Sequence, residues 1–253
     1  MEKNQEQPEL RLISEHDRLF ESQRYPRPFS FNEEVAGVFD DMVRRSIPLY
    51  FDVHHYLGNW CRRFHQSGTT VIDIGCSTGT TIDYLSQCLS QRASFLGIDS
   101  SAAMILKARQ KLQNLPAQHE VQLICQDIQQ LSLPPASIVI MNYTLQFLPV
   151  SQRPALLKRI FDCLLPGGLF FISEKVRASH PLIQETTTHI YEKFKLDQGY
   201  SQTEIARKKE ALENVLIPYT EIEHRQILAD AGFQAVETVM KWNNFSSFVA
   251  IKE

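Results

Sequence analysis

The stretch Thr69-Thr70-Val71-Ile72-Asp73-Ile74-Gly75-Cys76-Ser77-Thr78-Gly79-Thr80 constrains this chain more than any other. Val71-Ile72-Asp73-Ile74 is apolar and β-branched with no clean alternation, the pattern of a parallel strand buried on both faces. Gly75 and Gly79 then let the backbone turn tightly and approach a ligand with no Cβ in the way. Twenty residues after Gly79 comes Asp99, at the end of a second predicted strand, Ser94-Phe95-Leu96-Gly97-Ile98-Asp99. In a doubly wound sheet an acid at that place can accept hydrogen bonds from both ribose hydroxyls of an adenine nucleoside. The stretch therefore predicts an α/β fold with an adenosyl-cofactor site.

Two other readings of the glycine turn stand beside that one. Gly75-Cys76-Ser77-Thr78-Gly79 also spells G-x-S-x-G, the nucleophile elbow of serine hydrolases, with Ser77 as nucleophile. Such a site needs a later acid and a later histidine, and the candidate histidine, His224, falls in a predicted amphipathic helix. Asp73 and Asp99 would have no part in it. Alternatively the turn only packs a helix on a strand and binds nothing.

Composition narrows the classes further. At 253 residues the chain can bury a large core in one α/β domain with additions. A net charge of −3 gives no global basic field, so nucleic acid is not an expected direct partner. No run of about eighteen apolar residues is present, so no membrane span is expected. The first thirty residues are polar and lack a signal-peptide core. Cys61, Cys76, Cys88, Cys125 and Cys163 form no C-x-x-C pair and read as free, mostly buried thiols in a reducing cytoplasm. Of the scattered histidines only His54 and His55 are close, and neighbours on a helix point different ways, so no metal site is expected.

Residues 1–28 read as a loose polar lead-in, ending in Arg24-Tyr25-Pro26-Arg27-Pro28, which resists regular structure. From 29 to 253 the pattern predicts one domain. Asn32 caps a first helix whose stripe is Val35, Val38, Phe39, Met42 and Val43. A second helix, Tyr50 to His65, has an aromatic face that reads as a lid over the sheet, with Tyr50 able to reach a ligand; residues 29–66 form this helical lid. Helices over Thr80–Gln91 and Ala102–Gln113 then alternate with strands. The third strand, Val121–Cys125, leads to Asp127, placed either to accept from an exocyclic adenine amine or to sit in a solvated loop. The fourth, Ala136–Asn142, puts Asn142 at the carboxyl edge of the sheet, where such folds bind ligands. A helix from Ser151 to Leu164 precedes a tight turn, Pro166-Gly167-Gly168, and strand five, Leu169–Lys175. The alternation predicts a parallel sheet with right-handed crossovers.

Residues 176–231 read as a helical insertion: Ile183–Leu196, a helix opened by the capping box Ser201-x-x-Glu204, and Thr220–Ala231 closed by Gly232. The second of these carries Arg207-Lys208-Lys209, ordinarily a solvated cationic face. Phe233–Trp242 and Phe245–Ile251 predict an antiparallel hairpin at the sheet edge.

Strand, glycine turn, ribose acid, adenine acid, P-G-G turn and final hairpin together resemble the class I S-adenosylmethionine-dependent methyltransferases over residues 66–175 and 232–252. A narrower resemblance runs almost the whole length. It is carried by Phe31-x-x-x-Val35-Ala36-x-Val38-Phe39-x-Asp41-Met42-x-x-Arg45-Ser46-x-Pro48-x-Tyr50, Asp73-x-Gly75-Cys76-Ser77-x-Gly79 and Asn142-x-Thr144-Leu145-Gln146-Phe147-Leu148. Ser173-Glu174-Lys175, Gly199-Tyr200-Ser201-x-x-Glu204-Ile205 and Leu212-Glu213-Asn214-Val215 continue it. Jointly these residues resemble the carboxy-S-adenosyl-L-methionine synthases of bacterial wobble-uridine tRNA modification.

The resemblance implies a Rossmann-like class I methyltransferase fold, a mostly parallel seven-stranded sheet with an antiparallel C-terminal hairpin strand. It implies transfer of a carboxyl group from prephenate to the sulfonium methyl of S-adenosylmethionine, with release of phenylpyruvate. The positive sulfur acidifies that methyl, so a transient ylide can capture CO2 in a pocket that excludes water. The family's cofactor contacts fall on Tyr50, Gly75, Cys76, Ser77, Asp99, Ser100, Asp127, Ile128 and Asn142. A homodimer joined through the helical insertion is implied as well.

The chain departs from the family at two of these positions. Lys209 stands where the family holds the carboxylate of the modified cofactor with an arginine, exchanging a planar two-donor fork for a flexible point charge. Arg207, two positions earlier on a helix, points about 200° away and is a poor substitute. Ser100 replaces the usual Asn and keeps a hydrogen-bonding side chain. Because of Lys209, two alternatives remain open: a methyltransferase that lost carboxylate recognition, and a protein that holds the cofactor without turnover. Arg177, Lys175 and residues 207–209 are candidate contacts for the dianionic prephenate.

Overall fold

The computed structural model describes residues 8–21 and 28–253. Two helices come first, α1 (Glu33–Ser46) and α2 (Tyr50–Phe64). The alternating core follows as β1 (Thr70–Ile74), α3 (Thr80–Cys88), β2 (Ser94–Asp99), α4 (Ala102–Lys111), β3 (Glu120–Cys125), β4 (Ala136–Asn142), α5 (Arg153–Cys163) and β5 (Leu164–Lys175). Three helices, α6 (Pro181–Asp197), α7 (Gln202–Ala211) and α8 (Glu221–Ala231), precede the hairpin β6 (Ala235–Trp242) and β7 (Phe245–Ile251). The seven strands lie in the order β3-β2-β1-β4-β5-β7-β6. β7 runs antiparallel to β5 and β6; the other pairs are parallel.

Alternate residues of each central strand face opposite layers. Ile72, Ile74, Val139, Met141, Phe170 and Ile172 pack against Leu156, Leu157 and Ile160 of α5 and Leu228 of α8. Val71, Phe95, Ile138, Ile140 and Phe171 pack against Val53 and Leu57 of α2, Ile82 and Leu85 of α3, and Ile105 of α4. Both faces are thus covered, which is why these strands read as apolar runs instead of alternating ones. α2 packs on one face of the sheet through Val53, Leu57 and Cys61. The chain leaves β1 and β4 toward opposite sides of the sheet, so a crevice opens at their carboxyl ends.

The helix caps follow the sequence. Asn32 Oδ1 accepts from the Val35 amide at 3.0 Å, and Ser201 and Thr220 each close a capping box with Glu204 and Glu223. The principal shift in a boundary is at Pro166-Gly167-Gly168. Instead of a turn before strand five, these residues lie within β5, which begins at Leu164. The extra length is absorbed as an irregularity, Ala136 pairing with Leu164 and Ile138 with Leu169. The Gly167 amide donates to the Lys252 carbonyl at 2.7 Å, so its backbone is paired as a strand's would be.

The lead-in is better anchored than its polarity suggests. Residues 8–21 form neither helix nor strand, yet Asp17 and Phe20 are buried. The Ile13 amide donates to Asp40, the Glu15 amide to the Gly37 carbonyl, and Arg11 pairs with Asp83. The expected irregularity at Arg24 to Arg27, like residues 1–7, lies outside the described residues.

Candidate active site

A cavity of about 980 Å³ occupies the crevice and runs from the carboxyl ends of β1–β4 to α6 and α7. Tyr50, Gly75, Cys76, Ser77, Asp99, Ser100, Asp127, Ile128, Asn142 and Lys209 all line it. The ten residues singled out in the sequence therefore surround one space, although they span 160 positions of chain.

At one end, Asp99 closes β2 and accepts from the Ser77 amide at 2.9 Å through Oδ2 and from the Ser101 amide at 2.8 Å through Oδ1. Burial raises its pKa, and those two amides oppose the rise. Each oxygen keeps a free lone pair for a ribose hydroxyl. Asp127 is exposed, with Oδ1 on the Gln129 amide, and the neighbouring Ile128 is buried, an arrangement suited to an amine edge above an apolar ring face. Gly75 adopts φ +75°, and a Cβ there would come within 2.2 Å of Thr144 Oγ1. Ser77 and Tyr143 also take left-handed conformations, φ 48° and 56°, just beyond β1 and β4. Strained backbone of this kind gathers at binding sites.

The fit to an adenosyl cofactor rests on Asn142. Both its side-chain amide atoms are buried in the cavity wall without a hydrogen-bond partner in the protein. Buried amides left in that state are costly unless a ligand meets them. Beneath the site Asp73 is buried with Oδ2 unpartnered, and burial plus the nearby Asp99 pushes its pKa up to about 7. Tyr50 begins α2 with its ring buried.

Two supports went unrecognised in the sequence. Asp40 on α1 accepts from Thr78 Oγ1 at 2.6 Å and pairs with Lys111 of α4 at 2.7 Å. Lys111 also donates to Thr80 Oγ1 at 2.6 Å, so this buried pair clips the glycine turn to two helices. Glu174 accepts from the amides of Thr144, Leu145 and Gln146 at 3.0, 2.8 and 3.1 Å and so holds the loop beyond Asn142. Burial pushes its pKa up to about 8 against those three bonds. An acid at the end of an apolar strand is the signal that both Asp99 and Glu174 share; Asp40 has none beyond being an acid on an amphipathic helix.

At the other end stand the cations of the insertion. Lys209 is exposed to the cavity mouth and pairs with Glu192 at 3.2 Å. Lys208 is buried, donating to Ser46 Oγ at 2.8 Å, while Lys175 and Lys195 complete the lining. Arg207 points away and donates to the carbonyls of Phe20 and Glu21, as its helical position predicted. Arg177 pairs with Glu223 and does not line the cavity, which removes it as a contact.

The hydrolase reading fails on geometry. His224 lies between Tyr219 and Phe248 with both ring nitrogens unpartnered, outside the cavity that Ser77 lines. His54 is occupied structurally, with Nδ1 against the Tyr50 carbonyl at 2.9 Å, and burial lowers its pKa to about 4.

Fold and site together define a class I S-adenosylmethionine-dependent methyltransferase architecture. A general methyltransferase-domain family matches residues 71–168. Among solved structures, magnesium protoporphyrin IX methyltransferase from Synechocystis with bound SAH superposes with TM-score 0.58 at 18% identity, over 83% of this chain and 87% of that one. A putative O-methyltransferase from Nostoc punctiforme gives 0.60 at 16% identity, over 87% and 59%. Carboxy-S-adenosyl-L-methionine synthase of Trichodesmium erythraeum is 52% identical over 244 residues, 96% of each chain. The Helicobacter hepaticus enzyme of the same name is 42% identical over 93% of this chain and 99% of its own. The chain belongs to the carboxy-S-adenosyl-L-methionine synthase family and is a transferase.

Proposed function

We propose that this protein converts S-adenosylmethionine and prephenate into carboxy-S-adenosylmethionine and phenylpyruvate. The observation that carries the reading is the single cavity, with unmet Asn142 and the Asp99 carboxylate at one end and a cluster of lysines at the other. The near full-length relatives named for this product support it.

The bound cofactor supplies a methyl whose protons are acidified by the adjacent positive sulfur. Prephenate loses CO2 and hydroxide together because its ring becomes aromatic; the hydroxide leaves as water with a methyl proton, and CO2 joins the methyl carbon. The chain's residues orient and exclude. Asp99 holds the ribose, Asp127 and Ile128 receive the adenine, and Asn142 fixes the nucleoside against β4. Tyr50, Phe31, Phe147 and Phe245 give the cavity apolar walls that keep bulk water from the methyl. Lys209 neutralises the new carboxylate.

A second reading, methyl transfer to a small molecule, is favoured by one observation: Lys209 is tied to Glu192 where a free arginine fork is expected. Denaturing the purified protein and weighing the released nucleoside separates the two. A mass equal to carboxy-S-adenosylmethionine is expected; only S-adenosylmethionine or its demethylated product would overturn the first reading.

The product would serve wobble-uridine modification of tRNA by a separate enzyme in the cytoplasm, in keeping with a net charge of −3 here. Among the described residues no helix is long and apolar enough to cross a membrane. A homodimer through α6 is supported by the exposed Leu182, Ile183 and Ile190, and sedimentation velocity tests it.

A further inference from the structure

β5 and the insertion bring to the cavity two ammonium groups with no direct anionic partner among the described residues. Lys175 ends β5 and Lys195 lies near the end of α6; their Nζ atoms stand 4.7 and 4.5 Å from the centre of the Tyr191 ring. Neither ammonium group makes a hydrogen bond or ion pair among the described residues, whereas that of Lys209 has Glu192 and that of Lys208 has Ser46. The ring itself is fixed: Tyr191 Oη donates to the Ser46 carbonyl at 2.8 Å, and Phe245 packs on the ring at 5.2 Å between centres. The π-electrons of the ring hold both cations in place without discharging them.

Two desolvated like charges facing one space are unfavourable until an anion enters it. The titration of the pair reflects this. Burial lowers Lys175 to about 8, with Lys209 adding repulsion and Glu192 opposing it. Burial lowers Lys195 to about 7, with Lys175, Lys208 and Lys209 adding repulsion against Glu192. Both lysines line the same cavity as the adenosyl site.

We propose that Lys175 and Lys195 form a clamp for the two carboxylates of the carboxyl donor. The inference rests on the carboxyl-transfer reading and names the substrate class it selects, a dicarboxylic acid. It also divides labour in the site: the clamp takes the donor, and Lys209 is left for the carboxylate on the sulfonium side. Turnover removes one of the donor's carboxylates, so the monocarboxylate product satisfies the clamp less well and leaves.

The test measures prephenate binding by titration calorimetry to protein saturated with S-adenosylhomocysteine, which cannot turn over. Wild type is compared with Lys175→Met, Lys195→Met and Lys195→Arg, all checked by thermal melting; Lys→Gln variants replace any that melt early. Each charge removal is expected to weaken prephenate roughly 10- to 100-fold, the range of a lost charge-assisted bond. Phenylpyruvate should weaken less, S-adenosylmethionine affinity should stay within about twofold, and Lys195→Arg should recover most of the loss. Unchanged prephenate affinity in both Met variants overturns the clamp. Phenylpyruvate release assays on the same proteins keep the two ideas apart. Wild-type turnover with unaltered donor KM in the variants sinks the clamp and leaves the reading. Lysine-dependent binding without any turnover sinks the reading and leaves the clamp; no prephenate binding by wild type sinks both.

Discussion

At the adenosyl end of the cavity three carboxylates already have partners: Asp99 holds two amides, Glu174 three, and Asp40 meets Lys111 and Thr78. At the insertion end Lys175 and Lys195 line the cavity without an ion pair among the described residues, the nearby Glu192 being engaged by Lys209. The first region is preorganised, so a ligand finds its geometry waiting and loses little to ordering. The second holds unneutralised charge, so it gains more from a ligand of the right charge than from one of the right shape. A shared fold needs the first arrangement to hold a common nucleoside; the second is where a particular reaction can be selected.

The comparison is broken most severely at its rigid end. Asp40→Ala leaves Lys111 buried without its carboxylate, and the expected loss of stability is about 3–5 kcal/mol. Urea denaturation measures it, and the double change Asp40→Asn with Lys111→Met should lose far less. A loss under about 1 kcal/mol for Asp40→Ala would mean that the pair does not hold the turn. Asp99→Ala comes next. It removes the acceptor for Ser77 and Ser101 as well as the proposed ribose contact, so S-adenosylmethionine affinity should fall by about 100-fold or more. Retained affinity in calorimetry would misplace the nucleoside.

At the insertion end the effects are smaller and selective. Lys209→Ala is expected to weaken carboxy-S-adenosylmethionine about 10-fold relative to S-adenosylmethionine, and Lys209→Arg to strengthen it. Equal losses for both ligands would deny Lys209 its carboxylate. Comparable in magnitude is a pH effect. Lys195 and Lys175 bind an anion only when protonated, and their values of about 7 and 8 lie below the ordinary lysine range. Donor affinity should therefore be full below about pH 6 and decline by about 10-fold or more as pH rises through about 7 to 9. S-adenosylmethionine affinity should stay flat across that window, and a parallel decline of both would place the titration elsewhere.

Much of the adenosyl end was legible in the sequence because it is local. A β-branched run, two glycines and an acid at the end of the next strand specify backbone path and charge within some thirty residues. The caps at Asn32, Ser201 and Thr220 were legible for the same reason. The supports were not. Asp40 meets Lys111 across 71 positions, and Glu174 meets the Thr144–Gln146 loop across about 30, contacts that exist only once helices and strands have packed. Pro166-Gly167-Gly168 read as a turn because its composition is that of one. Pairing of the Gly167 amide with Lys252, near the far end of the chain, keeps it in β5 instead.

By itself the sequence determined the class of fold and the candidate nucleoside site, since these follow from residue types and their spacing, while the departure at Lys209 came from the family resemblance. Which cations are free and which are engaged was decided only by the tertiary structure. Arg177, Arg207, Lys208 and Lys209 look alike along the chain, yet each has found a partner, while Lys175 and Lys195 are left beside Tyr191. Charge is written in the sequence, but its neutralisation depends on distance and burial, and those are set by packing.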